Sequence, residues 1–392
     1  MNILLAASEV FPYAKTGGLA DVAGALPKAL ARLGHRVHVL MPRYNLETIL
    51  KVTDQASFKL SVPFAGGVHE SAVYVDDSGE APVYFLDEPN YFFRGRLYGE
   101  HDDTERFAYF SRAIVEFART AAAGTDIIHL NDWMTGLAPA YMRTVYAGDP
   151  AIDEAGALFT IHNIAFHGEF WSGLLPALGL PSSIHTTDGG IEFYGGSSSL
   201  KAGIVFSDAV STVSPKYSRE IQTPEFGDRF DGLLRSRAKD LYGILNGVDY
   251  DEWNPETDPH IAANYGLSDL SGKSECKLDL LRSFGLPPDA ERPLIGCISR
   301  LSDQKGFDLL LETVTEVLDR GVMLVLLGSG AEYYEKAFQA LKAVRPGQIG
   351  LHLGYSNELA HKIEAGSDMF LMPSRFEPCG LNQMYSLKYG TV

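Results

Sequence analysis

Short apolar runs bounded by glycine, proline and polar turns alternate along this chain with stretches whose apolar residues recur at helical spacing. The first run, Ile3–Ala7, reads as a buried strand. The loop Lys15-Thr16-Gly17-Gly18 follows. Ala20–Leu33 then carries apolar positions at the helical period and stops at Gly34. Arg36–Met41 is a second strand. A strand–helix–strand order of this kind predicts parallel strands in a sheet covered on both faces. His69–Val75 and Pro82–Leu86 predict a hairpin inserted near that unit. The alternation continues through Ile127–Leu130, a helical pattern over Leu137–Tyr146, the strands Leu158–Ile161 and Ala209–Val213, and a helix opening at Pro215. Gly189–Ser199, rich in glycine and serine, reads as a mobile loop.

A break falls near Asn246-Gly247 and is followed by Trp253-Asn254-Pro255 and further turn prolines. It predicts a linker, with one domain over 1–245 and a second over 246–392. The second domain repeats the alternation. Leu294–Ile298, Met323–Leu327, Gly350–Leu353 and Met369–Met372 are its strands, and Phe307–Leu318, Ala331–Ala343 and Leu359–Ala365 its helices. The prediction is two doubly wound α/β domains in tandem. Open parallel sheets bind ligands outside the carboxyl ends of their strands, and two such edges facing each other would form a cleft. Another strand is expected to begin at Tyr389–Val392, so that the second domain reads as incomplete.

Length and composition agree with this division. A chain of 392 residues exceeds what one core usually supports. Charged residues make up 21% and hydrophobic residues 45%, which excludes wholesale disorder. The net charge of −17 argues against nucleic acid or an anionic membrane as partner, while leaving room for a local anion site. The three cysteines, Cys276, Cys297 and Cys379, form no CxxC pair or Cys/His metal spacing, and the expectation is a reduced, cytoplasmic protein. The N-terminus lacks the basic region of a signal peptide, and no apolar run reaches the roughly 18–20 residues of a membrane helix.

Four loops carry candidate chemistry. In Lys15-Thr16-Gly17-Gly18-Leu19-Ala20-Asp21, two glycines allow close backbone approach, a helix N-terminus attracts anions, and lysine adds a full charge; the alternative is a tight turn with a solvated lysine. This is neither GxGxxG nor a P-loop. Ser299-Arg300-Leu301-Ser302-Asp303-Gln304-Lys305-Gly306 places two cations at the carboxyl edge of a strand, where a diphosphate would sit. Its alternative is a solvated loop or a salt bridge with Asp303. In Ser374-Arg375-Phe376-Glu377-Pro378-Cys379-Gly380-Leu381, Glu377 is a sugar-binding or charge-stabilising group, or else only a helix cap. His162-Asn163 and Asp132-Trp133 also follow strands and could bond or stack on a sugar; by themselves a structural histidine and a core tryptophan are the commoner explanations. Glu9 and Asp21 read as network residues near the first loop. Asp249-Tyr250-Asp251 lies in a turn-rich linker and is set aside as a metal motif, and Gly328-Ser329-Gly330 reads as a structural turn.

These motifs occur together and in order, and with them the chain resembles the bacterial glycogen synthases, the ADP-glucose-dependent relatives of plant starch synthases. The likeness runs from Met1 to Val392 and includes Asn131-Asp132-Trp133 and Asn246-Gly247-Val248-Asp249. It implies a GT-B fold of two Rossmann-like domains and metal-independent, cofactor-free transfer of glucose from ADP-glucose to an α-1,4-glucan with anomeric retention. It implies that Lys15, Gly17 and Gly18, with Asp21 nearby, lie near the donor's phosphates and glucose. Arg300 and Lys305, beside Ser299, would neutralise the leaving diphosphate. Glu377 would face the transferred glucose with Cys379, Gly380 and Leu381 beside it, His162 would contact that glucose near C6, and Tyr355 would pack on adenine. Glu9, Asp132, Trp133 and Asn163 would face the acceptor. Eight positions after Glu377 stands Tyr385, where many retaining GT-B enzymes have a second glutamate. With no second carboxylate there, front-face displacement is favoured over a covalent intermediate. The family continues with a second Thr-Gly-Gly-Leu-type loop and a closing helix beyond the point where this sequence stops. The competing reading is a non-catalytic homologue that binds ADP or glucan; a dinucleotide dehydrogenase is disfavoured by the glycine pattern.

Overall fold

A computed structural model describes all residues, 1–392. The chain divides into two compact units, Met1–Gly247 and Val248–Val392.

The first unit is built on a nine-stranded sheet. Its order is Leu241–Gly243, Ala209–Thr212, Gly156–Ile161, Ile127–Asn131, Asn2–Ala6, Arg36–Pro42, Val83–Asp87, Gly67–Asp76 and Phe58–Phe64. Neighbours are parallel from Leu241–Gly243 through Val83–Asp87, and the last two strands are antiparallel. Leu4 sits between His38 and Ile128 in register. Consecutive residues Leu4, Leu5 and Ala6 are all buried, as expected of a central strand packed on both faces. The hairpin at 67–87 joins this main sheet rather than lying beside it, because Val83–Asp87 pairs in parallel with Arg36–Pro42. An unexpected helix, Asp103–Thr120, packs on strand Phe58–Phe64 and helix Ala138–Thr144.

The segment 189–199 is not a mobile loop. Glu192–Phe193 and Gly196–Ser198 pair with Glu169–Phe170 in a small antiparallel sheet. Ser197 and Ser198 are fully buried, and the Ser198 hydroxyl caps helix Ser199–Phe206 by accepting from the Lys201 amide. Lys201 Nζ donates to the carbonyls of Thr187 and Glu192. Tertiary hydrogen bonds thus order a sequence whose composition alone favours a flexible chain.

The second unit holds a four-stranded parallel sheet in the order Ile349–Leu353, Met323–Gly328, Leu294–Ile298, Met369–Phe370. Alternation along Met323–Gly328 divides its core in two. Met323, Val325 and Leu327 join Leu280, Ile363 and Tyr385 from the helices Ser271–Ser283, Asn357–Gly366 and Leu381–Lys388. Leu324 and Leu326 join Phe307, Val314 and Phe338 from Phe307–Asp319 and Glu332–Val344. The strand expected over 369–372 is only two residues long. Beside it, the Phe370 amide donates to the Val392 carbonyl at 2.8 Å and the Val392 amide to the Asp368 carbonyl at 3.3 Å. No helix is long and apolar enough to cross a membrane.

Candidate active site

In the first unit, the loop after strand Asn2–Ala6 folds around Glu9. This carboxylate is buried and accepts from the amides of Thr16 and Gly17, from the Thr16 hydroxyl at 3.0 Å and from Tyr98 OH at 3.0 Å. Burial raises its pKa against these donors. The Gly17 amide, expected to face a ligand's phosphates, is therefore engaged by Glu9 in this structure. Lys15 is not a solvated charge, since its Nζ lies 2.6 Å from Asp21 Oδ1 in the first turn of helix Gly18–Arg32. The backbone at Gly17 is extended (φ −160°), and a Cβ there would meet nothing within 4 Å. Neither left-handed backbone nor internal packing demands glycine at that position.

Strands Ile127–Asn131 and Gly156–Ile161 end side by side and bring Asn131, Asp132, His162 and Asn163 together. Asp132 Oδ1 accepts from the His162 amide at 2.7 Å, and burial pushes its pKa up to about 7, against the amides of His162 and Asn163 and with a further rise from the Glu9 charge. Asp132 also adopts a positive φ of 57°, a strained backbone for a non-glycine residue. His162 is buried. Burial drives its pKa down to about 3, helped by His129, so the ring is neutral near pH 7. Its tautomer follows from the neighbours. Asn131 spends its amide Nδ2 on the Ala6 carbonyl at 3.0 Å, so Oδ1 faces His162 Nε2 at 2.9 Å. An oxygen can only accept; Nε2 carries the hydrogen and Nδ1 is left as an acceptor. Asn163 Oδ1 closes a local turn by accepting from the Ala165 amide. Trp133, half-buried, lies edge-on to Phe107 at 5.1 Å.

In the second unit, the segments after strands Leu294–Ile298 and Met369–Phe370 meet. Lys305 Nζ lies 2.6 Å from Glu377 Oε1, with each side chain about four-fifths buried, and the Ser374 hydroxyl donates to the same oxygen at 2.6 Å. Lys305 is thus paired with Glu377 and not with Asp303, whose carboxylate accepts from Tyr334 OH. Arg375 turns away and forks onto Asp308 at 2.7 and 2.6 Å. Glu377 caps no helix; Gly380, in the left-handed region at φ 77°, stands at the N-cap of Leu381–Lys388 without side-chain help. Cys379 is half-buried and in no disulfide, and Leu381 is buried in the core. Arg300 is exposed; the Ser299 amide donates to the Leu327 carbonyl at 3.1 Å, and its hydroxyl makes a long bond to the Arg300 carbonyl at 3.3 Å. Tyr355, exposed past strand Ile349–Leu353, donates to Asn357 Oδ1 at 3.0 Å. Gly328 and Gly330 are structural: a Cβ on them would fall 1.9 Å from the Ser299 carbonyl oxygen and 2.2 Å from that of Leu301. Sequence spacing did not reveal a cluster of Glu252, His260 and His361 in the same unit.

Residues 2–236 match the family described as "Starch synthase catalytic domain", and residues 282–392 match "Glycosyl transferases group 1". The chain is therefore a glycosyltransferase, built on the two parallel-sheet units of the GT-B fold. Over its full length it is 48% identical to the glycogen synthase of Anaeromyxobacter sp. (strain Fw109-5), covering 82% of that protein, and 49% identical to that of Myxococcus xanthus, covering 83%. The catalytic domain of starch synthase IV from Arabidopsis thaliana, solved with ADP and acarbose, superposes with a TM-score of 0.94 at 36% identity, covering all of this chain and 81% of the other. This chain belongs to the glycogen synthase and starch synthase family, and the resemblance carried by its motifs is borne out.

Proposed function

We propose that the chain transfers glucose from ADP-glucose to the non-reducing end of an α-1,4-glucan, with retention and without a catalytic metal. The observation that carries this reading is the Lys305–Glu377 pair at 2.6 Å on the carboxyl edge of the second sheet. Cleaving a glycosyl diphosphate creates negative charge on the leaving group and positive character on the sugar carbon. An ammonium and a carboxylate held side by side match both.

On this reading Arg300 and Lys305 hold the diphosphate, with Ser299 alongside. Donor binding draws Lys305 toward phosphate and leaves Glu377 facing the glucose with Cys379, Gly380 and Leu381. Tyr355 stacks on adenine. Lys15 and the amides of Gly17 and Gly18 contact phosphate and glucose, which requires Glu9 and Asp21 to yield part of their present hold. Neutral His162 bonds the glucose hydroxyls, while Glu9, Asp132, Trp133 and Asn163 receive the glucan. The first unit is accordingly the acceptor side and the second the donor side. In front-face displacement the acceptor oxygen bonds to the sugar carbon as the carbon–oxygen bond to diphosphate breaks. The electron pair leaves with ADP, and the acceptor's proton passes to the departing phosphate oxygen. Three cysteines with no CxxC pair or Cys/His metal spacing fit a reduced, cytoplasmic setting.

Release of ADP from ADP-glucose and glycogen tests the reading. Glu377→Gln is expected to lower kcat by at least a hundredfold with little change in donor KM, and Lys305→Ala to raise donor KM. Binding of ADP without any ADP release by the purified chain would favour the non-catalytic alternative. Unchanged kinetics in Glu377→Gln would remove that residue from the reaction.

A further inference from the structure

We infer that Glu252, His260 and His361 form a binding site for a divalent transition-metal ion of the zinc type, independent of the transfer reaction proposed above. His361, on helix Asn357–Gly366, is fully buried. Its Nδ1 lies 2.8 Å from Asp258 Oδ2, and Asp258 also accepts from Tyr389 OH at 2.5 Å and, through Oδ1, from the His260 amide at 2.8 Å. A carboxylate holding three donors fixes the hydrogen on Nδ1. Trp253 stacks on the imidazole at 3.9 Å and 6°, which fixes the ring plane.

The other ring nitrogen is the unusual feature. Nε2 is buried and makes no hydrogen bond. Buried polar atoms without partners are uncommon and call for a reason. Its nearest charged neighbour is Glu252 Oε1 at 3.4 Å. That is long for a charge-assisted hydrogen bond, but it matches the edge of a tetrahedron around zinc, about 3.3–3.4 Å for metal–ligand bonds of about 2.0–2.1 Å. One ligand atom from each of Glu252, His260 and His361 lies within 4.8 Å of the others. Glu252 and His260 are only half-buried, so closing the remaining distance requires side-chain rotation at the rim and no movement of the core. Two imidazoles and a carboxylate suit zinc, and water can fill a fourth position. Asp258 on Nδ1 is the outer carboxylate that commonly orients a metal-bound histidine. A bound ion would tie the irregular segment around 252–260 to the helix at 357–366.

The full chain, stripped with chelator and dialysed, is titrated with zinc chloride alone, with bound metal measured by elemental analysis; cobalt(II) reports coordination by its visible absorption. The expected result is one equivalent of zinc bound at micromolar or tighter affinity, a tetrahedral cobalt spectrum, and a rise in thermal midpoint. His260→Ala and Glu252→Gln, both at the rim, are each expected to weaken binding about tenfold or more. No zinc uptake would overturn the proposal and leave His361 as a buried imidazolium between two carboxylates. So would uptake unchanged in both variants but lost in Cys379→Ser.

Discussion

Gly306 separates the loop of Arg300 and Lys305 from helix Phe307–Asp319, and its replacement by alanine gives a test whose size can be worked out. Its φ is +69°, and a Cβ there would lie 2.1 Å from the Pro373 carbonyl oxygen, on the segment that leads to Ser374 and Glu377. Gly285 has the same φ of +69°, but a Cβ there would meet nothing within 4 Å. Alanine at either site incurs the left-handed penalty, about 1–2 kcal/mol. Only at 306 must two backbone segments also separate by roughly 1 Å. Overpacking of that kind adds about 1–3 kcal/mol. Gly285→Ala should therefore cost about 1–2 kcal/mol and Gly306→Ala about 2–5 kcal/mol. Trp253 is the single tryptophan of the second unit and is buried against His361 and Tyr385. In a Trp133→Phe, Trp171→Phe background its fluorescence reports urea unfolding of that unit alone. Only Gly306→Ala should also lengthen the Lys305–Glu377 contact and weaken ADP binding. Equal losses of stability in the two variants would refute the reasoning, because the two share the same φ and only the Cβ at 306 meets the Pro373 segment.

Gly168→Ala should shift Trp133, since the added Cβ would lie 2.5 Å from its ring at a φ of +57°; isothermal titration with maltooligosaccharide is expected to show weaker glucan binding with ADP affinity retained. Glu364, fully buried and bonded by the Ser386 hydroxyl at 2.7 Å, has its pKa raised by burial from 4.5 to about 8. Between those values the folded chain keeps a proton that the unfolded chain releases, so wild-type stability falls by up to about 1.4 kcal/mol per pH unit as pH rises. Glu364→Gln cannot lose that proton, and urea midpoints at pH 5 and pH 8 should show the variant gaining on wild type at the higher pH; parallel shifts would contradict the assignment.

Most of the parallel strands were legible in the sequence because they are short apolar runs largely buried on both faces, and the loops of the candidate site because they follow those runs; the edge strand Leu241–Gly243, partly exposed, was not. Helix Asp103–Thr120 was not, because Arg106, Ser111 and Glu116 lie on its buried face and break the apolar period. Glu116 is accounted for only in three dimensions, where it receives Arg119 at 2.7 Å and Tyr146 OH at 2.6 Å. Strand Phe58–Phe64 alternates cleanly but contains Pro63, which is tolerated because the strand lies at the sheet edge. Helix Ser271–Ser283 buries Lys277 against Asp368 at 2.7 Å, a partner far along the chain. In the site, residue types were readable, whereas the Lys15–Asp21 and Lys305–Glu377 pairs, the Glu9 hold on Gly17 and the tautomer of His162 depend on contacts that no local pattern encodes. The histidine–glutamate cluster was invisible for the same reason.

The buried Asp132 and His162 and the Lys305–Glu377 pair handle charge in opposite ways, and this bears on which substrate each can take. In the first unit, burial acts against ionisation: Asp132 is pushed to about 7, Glu9 is raised, and His162 is held neutral by a pKa near 3. Buried hydrogen-bonding groups such as neutral His162 suit sugar hydroxyls, which gain nothing from an ion and lose affinity if a buried partner is left unpaired. In the second unit, Lys305 and Glu377 keep both charges by sitting against each other. Removing one partner leaves the other partly desolvated, which is costly unless a replacement charge arrives. On the proposed reading a diphosphate would supply that charge to Lys305, and the developing positive carbon would supply it to Glu377. The ion pair would then be a resting arrangement that the donor exchanges for better-matched partners, an exchange that a neutral polymer could not make. The proposed assignment of the donor to the second unit thus rests on this ion pair and on what can replace each of its partners.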